Sequence, residues 1–180
     1  MASDWVGAHG CAPLQEFDVL LPPALCRLPS AFPQGVLTMP SPLFHLSFPV
    51  GNIPDTKAFY VSGLGCQAGR ENATAIVLDL YGHQLVAHVT DEPLTPQKGI
   101  YPRHFGLIFQ TETAWETLFN RVEHQQLTFY QSVKRRFPDS PLEHRTFFLA
   151  DPFHNLLEFK YYVYPEAIFG ERSLVHIGDS

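Results

Sequence analysis

Phe44-His45-Leu46-Ser47-Phe48 and, 59 residues later, Arg103-His104-Phe105-Gly106-Leu107 are the two stretches that decide the fold. Each puts a His into a β-type run and leads into a helical segment. At the same offset the apolar pair Phe59-Tyr60 falls over Leu118-Phe119. Self-similarity at a fixed offset is the mark of a repeated structural unit. The first helix has Pro54 near its start, with Gly63 and Gly65 after its end. The second is predicted to open at Thr113-x-x-Glu116, a capping-box spacing, with Trp115, Leu118, Phe119 and Val122 on one buried stripe.

Working outward, each copy continues through β-rich sequence to a closing hairpin. Asp79-Leu80-Tyr81-Gly82-His83 matches Asp151-Pro152-Phe153-His154-Asn155 as a turn before a last strand, predicted over His83–Thr90 and Leu156–Val163. This match has an offset of 72, so the second copy carries 13 more residues. They are assigned to a loop around Lys134-Arg135-Arg136-Phe137-Pro138-Asp139-Ser140-Pro141. The basic run in it reads as a solvated surface that, near a cleft, could hold a carboxylate. Each copy reads β-α-β-β-β, and two such units (about 42–92 and 102–163) give an α+β fold whose sheets curl into one open, barrel-like cleft.

Flanking this domain, taken as 41–165, are a C-terminal tail (166–180) and a proline-laden stretch (1–40) read as an irregular arm. Met39 is a candidate translation start. Between Leu28 and Pro54 there is no formal charge, but Pro29, Pro33, Pro40, Pro42, Pro49 and Pro54 exclude a continuous spanning helix. The start lacks a basic signal region, and Cys11, Cys26 and Cys66 form no C-x-x-C pair, which points to a reduced, cytoplasmic protein without a membrane anchor. With 12 Lys+Arg against 18 Asp+Glu, the net charge of −6 argues against nucleic acid as a partner.

In a strand alternate residues share a face, so His45 and His104 point away from the bulkier runs around them. Glu158 lies opposite Leu157, Phe159 and Tyr161, and a carboxylate in so apolar a strand needs a cation or donor beside it. Candidates are Lys160, Arg103 or a neighbouring strand. A lone inward His is more often a hydrogen-bonded structural residue than a ligand. Two at equivalent repeat positions, with an acid on a third strand, favour a facial metal site suited to Fe(II) or Mn(II), its remaining positions open to substrate.

The strings Phe44-His45-Leu46-Ser47-Phe48-Pro49-Val50, Gly82-His83-Gln84-Leu85-Val86-Ala87-His88, His104-Phe105-Gly106 and Asn155-Leu156-Leu157-Glu158-Phe159-Lys160 resemble the vicinal oxygen chelate superfamily, which groups glyoxalases, bleomycin-resistance proteins and extradiol dioxygenases. Within it the chain is most similar to small extradiol dioxygenase-like proteins. The resemblance covers about residues 42–163. It implies paired β-α-β-β-β modules, a divalent metal held by His45, His104 and Glu158, a small-molecule substrate and a homodimer. Glyoxalase I-like members add a fourth ligand, which falls on Val86 here, so the three-ligand pattern fits better. The extradiol pattern also implies an acid/base His, placed on His88, and a Tyr where this chain has Phe148. His144, Tyr130 and Tyr162 are the substitutes the sequence offers.

The expected function is thus a non-haem Fe(II) extradiol-type dioxygenase acting on a small vicinal diol or catechol-like molecule. The alternatives are a metal-dependent thiol transferase or isomerase of the fosfomycin-resistance or glyoxalase type, and a non-enzymatic binding protein of the bleomycin-resistance type.

Overall fold

The computed structural model describes residues 42–175, 177 and 178, all within the unit Ser41–Ser180. The readings of 1–40 and of Met39 lie outside the described residues. The first module runs β1 (His45–Val50), α1 (Ile53–Thr56, continued as a π-helix over Lys57–Leu64), β2 (Gln67–Glu71), β3 (Ala75–Leu80) and β4 (His83–Val89). The second runs β5 (Phe105–Phe109), α2 (Glu112–His124), β6 (Phe129–Arg136), β7 (His144–Ala150) and β8 (Leu156–Tyr162), followed by a 3-10 turn at Pro165–Ile168. Each module forms a four-stranded mixed sheet, in the orders β1-β4-β3-β2 and β5-β8-β7-β6. In both, the first strand lies parallel to the last, and the helix carries the chain from the first strand to the second at the opposite edge of the sheet. The fold is α+β with two repeated modules, and the sheets do not close into a barrel.

Local chemistry explains the elements. Asn52 caps α1 by accepting from the Asp55 amide at 2.8 Å, and Pro54 occupies the first turn. The helix does not stop at Gly63. It runs to Leu64 and ends on Gly65, whose φ of 95° is the left-handed cap. Gly63 lies inside it because a Cβ there would press into Leu127 of the second module. The second helix starts earlier than Thr113, since Thr111 has the extended backbone of a cap and its hydroxyl accepts from the Ala114 amide. Trp115, Leu118 and Val122 are buried, as the stripe requires. The turn between β3 and β4 is Tyr81-Gly82, with φ of 53° and 84°, the primed geometry that suits hairpin twist.

The thirteen extra residues of the second copy are not confined to one loop. They are spread as two between helix and strand, three in β6, four in the loop after it, one in β7 and three in the last turn. Lys134, Arg135 and Arg136 therefore belong to β6, paired with Thr146, Arg145 and His144 of β7, and not to a loop. The ladder hydrogen bonds that this pairing satisfies outweigh the charged composition.

One hydrophobic core takes residues from both modules, among them Val50, Tyr60, Leu78, Leu118, Phe147 and Phe159. Polar contacts fix the modules to each other. Arg121 of α2 donates to the Gly63 and Ser62 carbonyls at 2.8 Å, Tyr60 donates to Asp151 at 2.9 Å, and Asn155 donates to the Pro49 carbonyl at 2.9 Å. No helix among the described residues is long and apolar enough to cross a membrane.

Candidate functional site

The face of the second sheet turned away from α2 carries the polar side chains. β8 presents Glu158, Lys160 and Tyr162 there, β7 presents His144, Thr146 and Phe148, and β6 presents Arg136. The register sets them in rows: Phe148 opposite Glu158, Thr146 opposite Lys160, and His144 opposite both Tyr162 and Arg136. The alternate residues Phe147, Leu149, Leu157 and Phe159 fill the core, so packing of the helix face dictates which groups face the site.

Glu158 is only 7% exposed, and every partner it needs is present. Thr146 donates its hydroxyl to one carboxylate oxygen at 2.8 Å. The other oxygen is 3.1 Å from His104 Nε2 and 3.0 Å from Lys160 Nζ. His104 Nδ1 lies 2.7 Å from the Ile100 carbonyl, an acceptor, so Nδ1 carries the proton. In the neutral imidazole the bare Nε2 then faces a carboxylate oxygen, and two lone pairs meet unless a proton or cation stands with them. Lys160 supplies one positive charge. A divalent ion between Nε2 and the carboxylate would supply more, and anchoring of the distal nitrogen on a carbonyl is how ligating imidazoles are held. The donor chemistry fits a divalent metal.

His45 occupies the equivalent strand position in the first module, on the exposed face of β1. Its Nδ1 is 2.8 Å from Gln84 Oε1, which leaves its Nε2 bare as well. Of the three predicted ligands the structure brings His104 and Glu158 together. Among the described residues no group of three or more His, Cys, Asp or Glu converges on one point. Ser47 pairs with Val86 as Gly106 pairs with Glu158, so an apolar residue stands where the symmetric carboxylate would be. By the same register His88, opposite Pro49, is the counterpart of Lys160, opposite Ile108. His88 is exposed, shares the face of His45 and does not line the Glu158 cavity.

A cavity of about 370 Å³ opens beside Glu158, lined by Tyr101, Arg136, His144, Lys160 and Tyr162, with Ile168 and Phe169 of the C-terminal segment on its wall. His104 lines a separate cavity of about 460 Å³ together with Leu46 and Pro49 of the first module, so the His104–Glu158 pair lies where the two cavities adjoin. Phe148, which stands at the expected Tyr position, is buried with its ring edge-on to His104 at 5.3 Å. Of its proposed substitutes, His144 and Tyr162 line the Glu158 cavity. Tyr130 does not, and is 42% exposed. Burial pushes His144 below the usual imidazole range. The Leu142 carbonyl at 2.8 Å works against this, while the charges of Lys160 and Arg136 add to the depression. Sequence reasoning missed Tyr101, whose ring sits 6.0 Å from His104. Its only signal was a position three residues before that histidine.

Comparison with known proteins gives a consistent result. The model of the Glyoxalase/Bleomycin resistance protein/Dioxygenase superfamily matches residues 43–159. A glyoxalase/bleomycin resistance protein/dioxygenase from Alicyclobacillus acidocaldarius is similar at 38% identity and a TM-score of 0.69, over 74% of this chain and 100% of that one. The fosfomycin resistance protein FosX of Listeria monocytogenes (16% identity, TM-score 0.55, 72% and 99% covered) shares the fold. So does a lactoylglutathione lyase of Agrobacterium tumefaciens (15%, 0.51, 68% and 95%). No curated protein matches the chain.

Proposed function

Because the chain belongs to the Glyoxalase/Bleomycin resistance protein/Dioxygenase superfamily, we propose that it is a metal-dependent enzyme and, within that class, an extradiol-type dioxygenase for a small vicinal diol or catechol-like substrate. The observation that carries the reading is the His104–Glu158 pair, with its imidazole anchored on Ile100 and its carboxylate on Thr146. Val86 at the symmetric position speaks against the four-donor set of the isomerases, because its side chain offers no donor.

His104 and Glu158 would hold the ion, and Fe(II) suits these donors better than Mn(II); His45, the third donor expected from the sequence, lies on the exposed face of β1 and does not converge on the pair. A bound Fe(II) supplies Lewis acidity toward a diol and an electron path to oxygen. The protein supplies the rest. Ile100 and Thr146 lock the donor atoms in direction, so no reorganisation is needed when substrate arrives. Phe148 and Tyr101 flank the imidazole, with ring centroids 5.3 and 6.0 Å away. His144, held neutral by burial with Nδ1 on the Leu142 carbonyl, presents a bare Nε2 that can accept a proton from a substrate hydroxyl. It shares the cavity with Glu158, so this role falls to it before His88.

Protein purified without oxygen is expected to contain about one equivalent of iron and to consume oxygen with at least one member of a catechol panel. Stoichiometric metal without oxygen uptake on any diol would overturn the dioxygenase assignment and leave the thiol-transferase and isomerase alternatives to be assayed. The homodimer is tested by light scattering of the same preparation.

A further inference from the structure

Glu158 already carries a cation that belongs to the chain itself. Lys160 Nζ lies 3.0 Å from Oε2, the same carboxylate oxygen that stands 3.1 Å from His104 Nε2, while the Thr146 hydroxyl takes Oε1 at 2.8 Å. Strand register builds this arrangement. Glu158 and Lys160 leave β8 on one face, two residues apart, and Thr146 stands opposite Lys160 in the ladder. A buried carboxylate needs a positive charge or several donors at hand. The other groups on it are one hydroxyl and an imidazole whose proton sits on Nδ1, facing the Ile100 carbonyl. Without Lys160, the lone pairs of Oε2 and of the bare Nε2 would face each other in a site largely closed to water.

We propose that Lys160 is a built-in counter-ion: it holds the His104–Glu158 pair together when no metal is bound, and it competes with a divalent ion for Glu158 Oε2, so it sets how tightly the site takes its metal. The competition rests on the metal-binding reading above, whereas the metal-free role stands on the contact alone. An ammonium is a compact point charge on a flexible four-carbon stem. The Lys160 side chain is 25% exposed and lines the cavity of about 370 Å³ beside Glu158, so its head has space to turn into when a dication takes the oxygen. A dication and an ammonium on one oxygen repel at short range, and a partly buried site screens that repulsion weakly. Displacement of Lys160 is therefore subtracted from the affinity for the ion. Removing the charge has opposite effects on the two states: the metal-free protein is weakened and the metal-bound protein is favoured. A side chain that only packs would shift both states in the same direction.

The test is calorimetric titration of the full chain, stripped by a chelator, with Mn(II), which does not oxidise during the measurement. Urea unfolding is followed with and without saturating Mn(II). Lys160→Met is expected to bind Mn(II) at least about tenfold more tightly than wild type, and in the metal-free state to unfold at a lower urea concentration. Lys160→Arg keeps the charge and is expected to bind Mn(II) no more tightly than wild type. Binding by Lys160→Met where wild type binds none, or folding of Lys160→Met only in the presence of Mn(II), is the same result in its extreme form. Equal or weaker Mn(II) binding by a folded Lys160→Met overturns the proposal and leaves the metal-binding reading in place. Absence of binding by wild type and Lys160→Met alike at millimolar Mn(II) overturns both. Lys160→Gln, a second uncharged variant, decides the matter if Lys160→Met folds under neither condition.

Discussion

His104 and Glu158 meet at 3.1 Å across the junction of two strands, with the imidazole Nδ1 already engaged by the Ile100 carbonyl 2.7 Å away. The pair comes from β8 and from the residue that precedes β5, and the parallel pairing of these strands sets its spacing.

If this pair holds the metal, removing either donor removes the ion. His104→Ala and Glu158→Gln are expected to lower the metal content of anaerobically purified protein at least tenfold, measured by mass spectrometry. Val86→Ala, on the symmetric strand, is expected to leave it unchanged. Retention of full metal by both donor variants would place the site elsewhere.

Gly106 faces Glu158 across the β5–β8 ladder, and a Cβ there would fall on the Glu158 carbonyl oxygen. Backbone cannot yield as a flexible side chain does. Gly106→Ala is therefore expected to destabilise the fold by about 3 kcal/mol, read from urea unfolding, and to disturb the pair above. A change below about 0.5 kcal/mol would mean that the two strands separate freely.

The buried hydrogen bond from Tyr60 to Asp151 ties α1 to the last turn of the second module. Burial raises the Asp151 pKa, while donors from Asn155, the Phe153 amide and Tyr60 oppose the rise. Tyr60→Phe is expected to cost about 1–2 kcal/mol, and Asp151→Ala, which strands several buried donors, at least about 3 kcal/mol. Equal losses in the two variants would show that the turn contributes nothing beyond the tyrosine.

Glu143 takes both oxygens of its carboxylate to Arg135, at 2.7 and 2.9 Å, and accepts from the Asp139 amide. The Arg135 guanidinium first, then that amide, holds its pKa below the usual carboxylate value of 4.5. A lowered folded-state pKa means that the unfolded chain takes up the proton first. The stabilisation is complete above pH 4.5 and is lost as pH falls through the folded value. Glu143→Gln is expected to flatten the fall of stability with pH below the usual carboxylate value of 4.5. An unchanged slope would show that the pair does not contribute.

Cys66 is 4% exposed, and burial, with Asp79 adding, pushes its thiol up to about 12. In a Cys11→Ser, Cys26→Ser chain it is expected to resist a disulfide reagent at pH 8 until the protein is unfolded. Rapid labelling of native protein would mean that this part of the core opens.

What the sequence determined by itself was the repeat. Period-2 alternation in Leu156–Tyr162 and the matched His45 and His104 runs are local properties, and they placed the modules, the strand faces and the identity of Glu158 as a buried acid needing partners. Gly63 inside a helix, Thr111 as the cap and the β6 strand over Lys134–Arg136 were not legible, because a contact with Leu127, a backbone angle and pairing with β7 decided them. The site shows the same division. Residue types announce a carboxylate and histidines, but which cations stand beside them depends on strand register, a long-range property. Lys160, two residues on along the same strand, was already a candidate partner in the sequence, whereas lateral pairing of β6 with β7 put Arg136 into the Glu158 cavity, and packing of the first sheet left His45 and His88 on a face of their own.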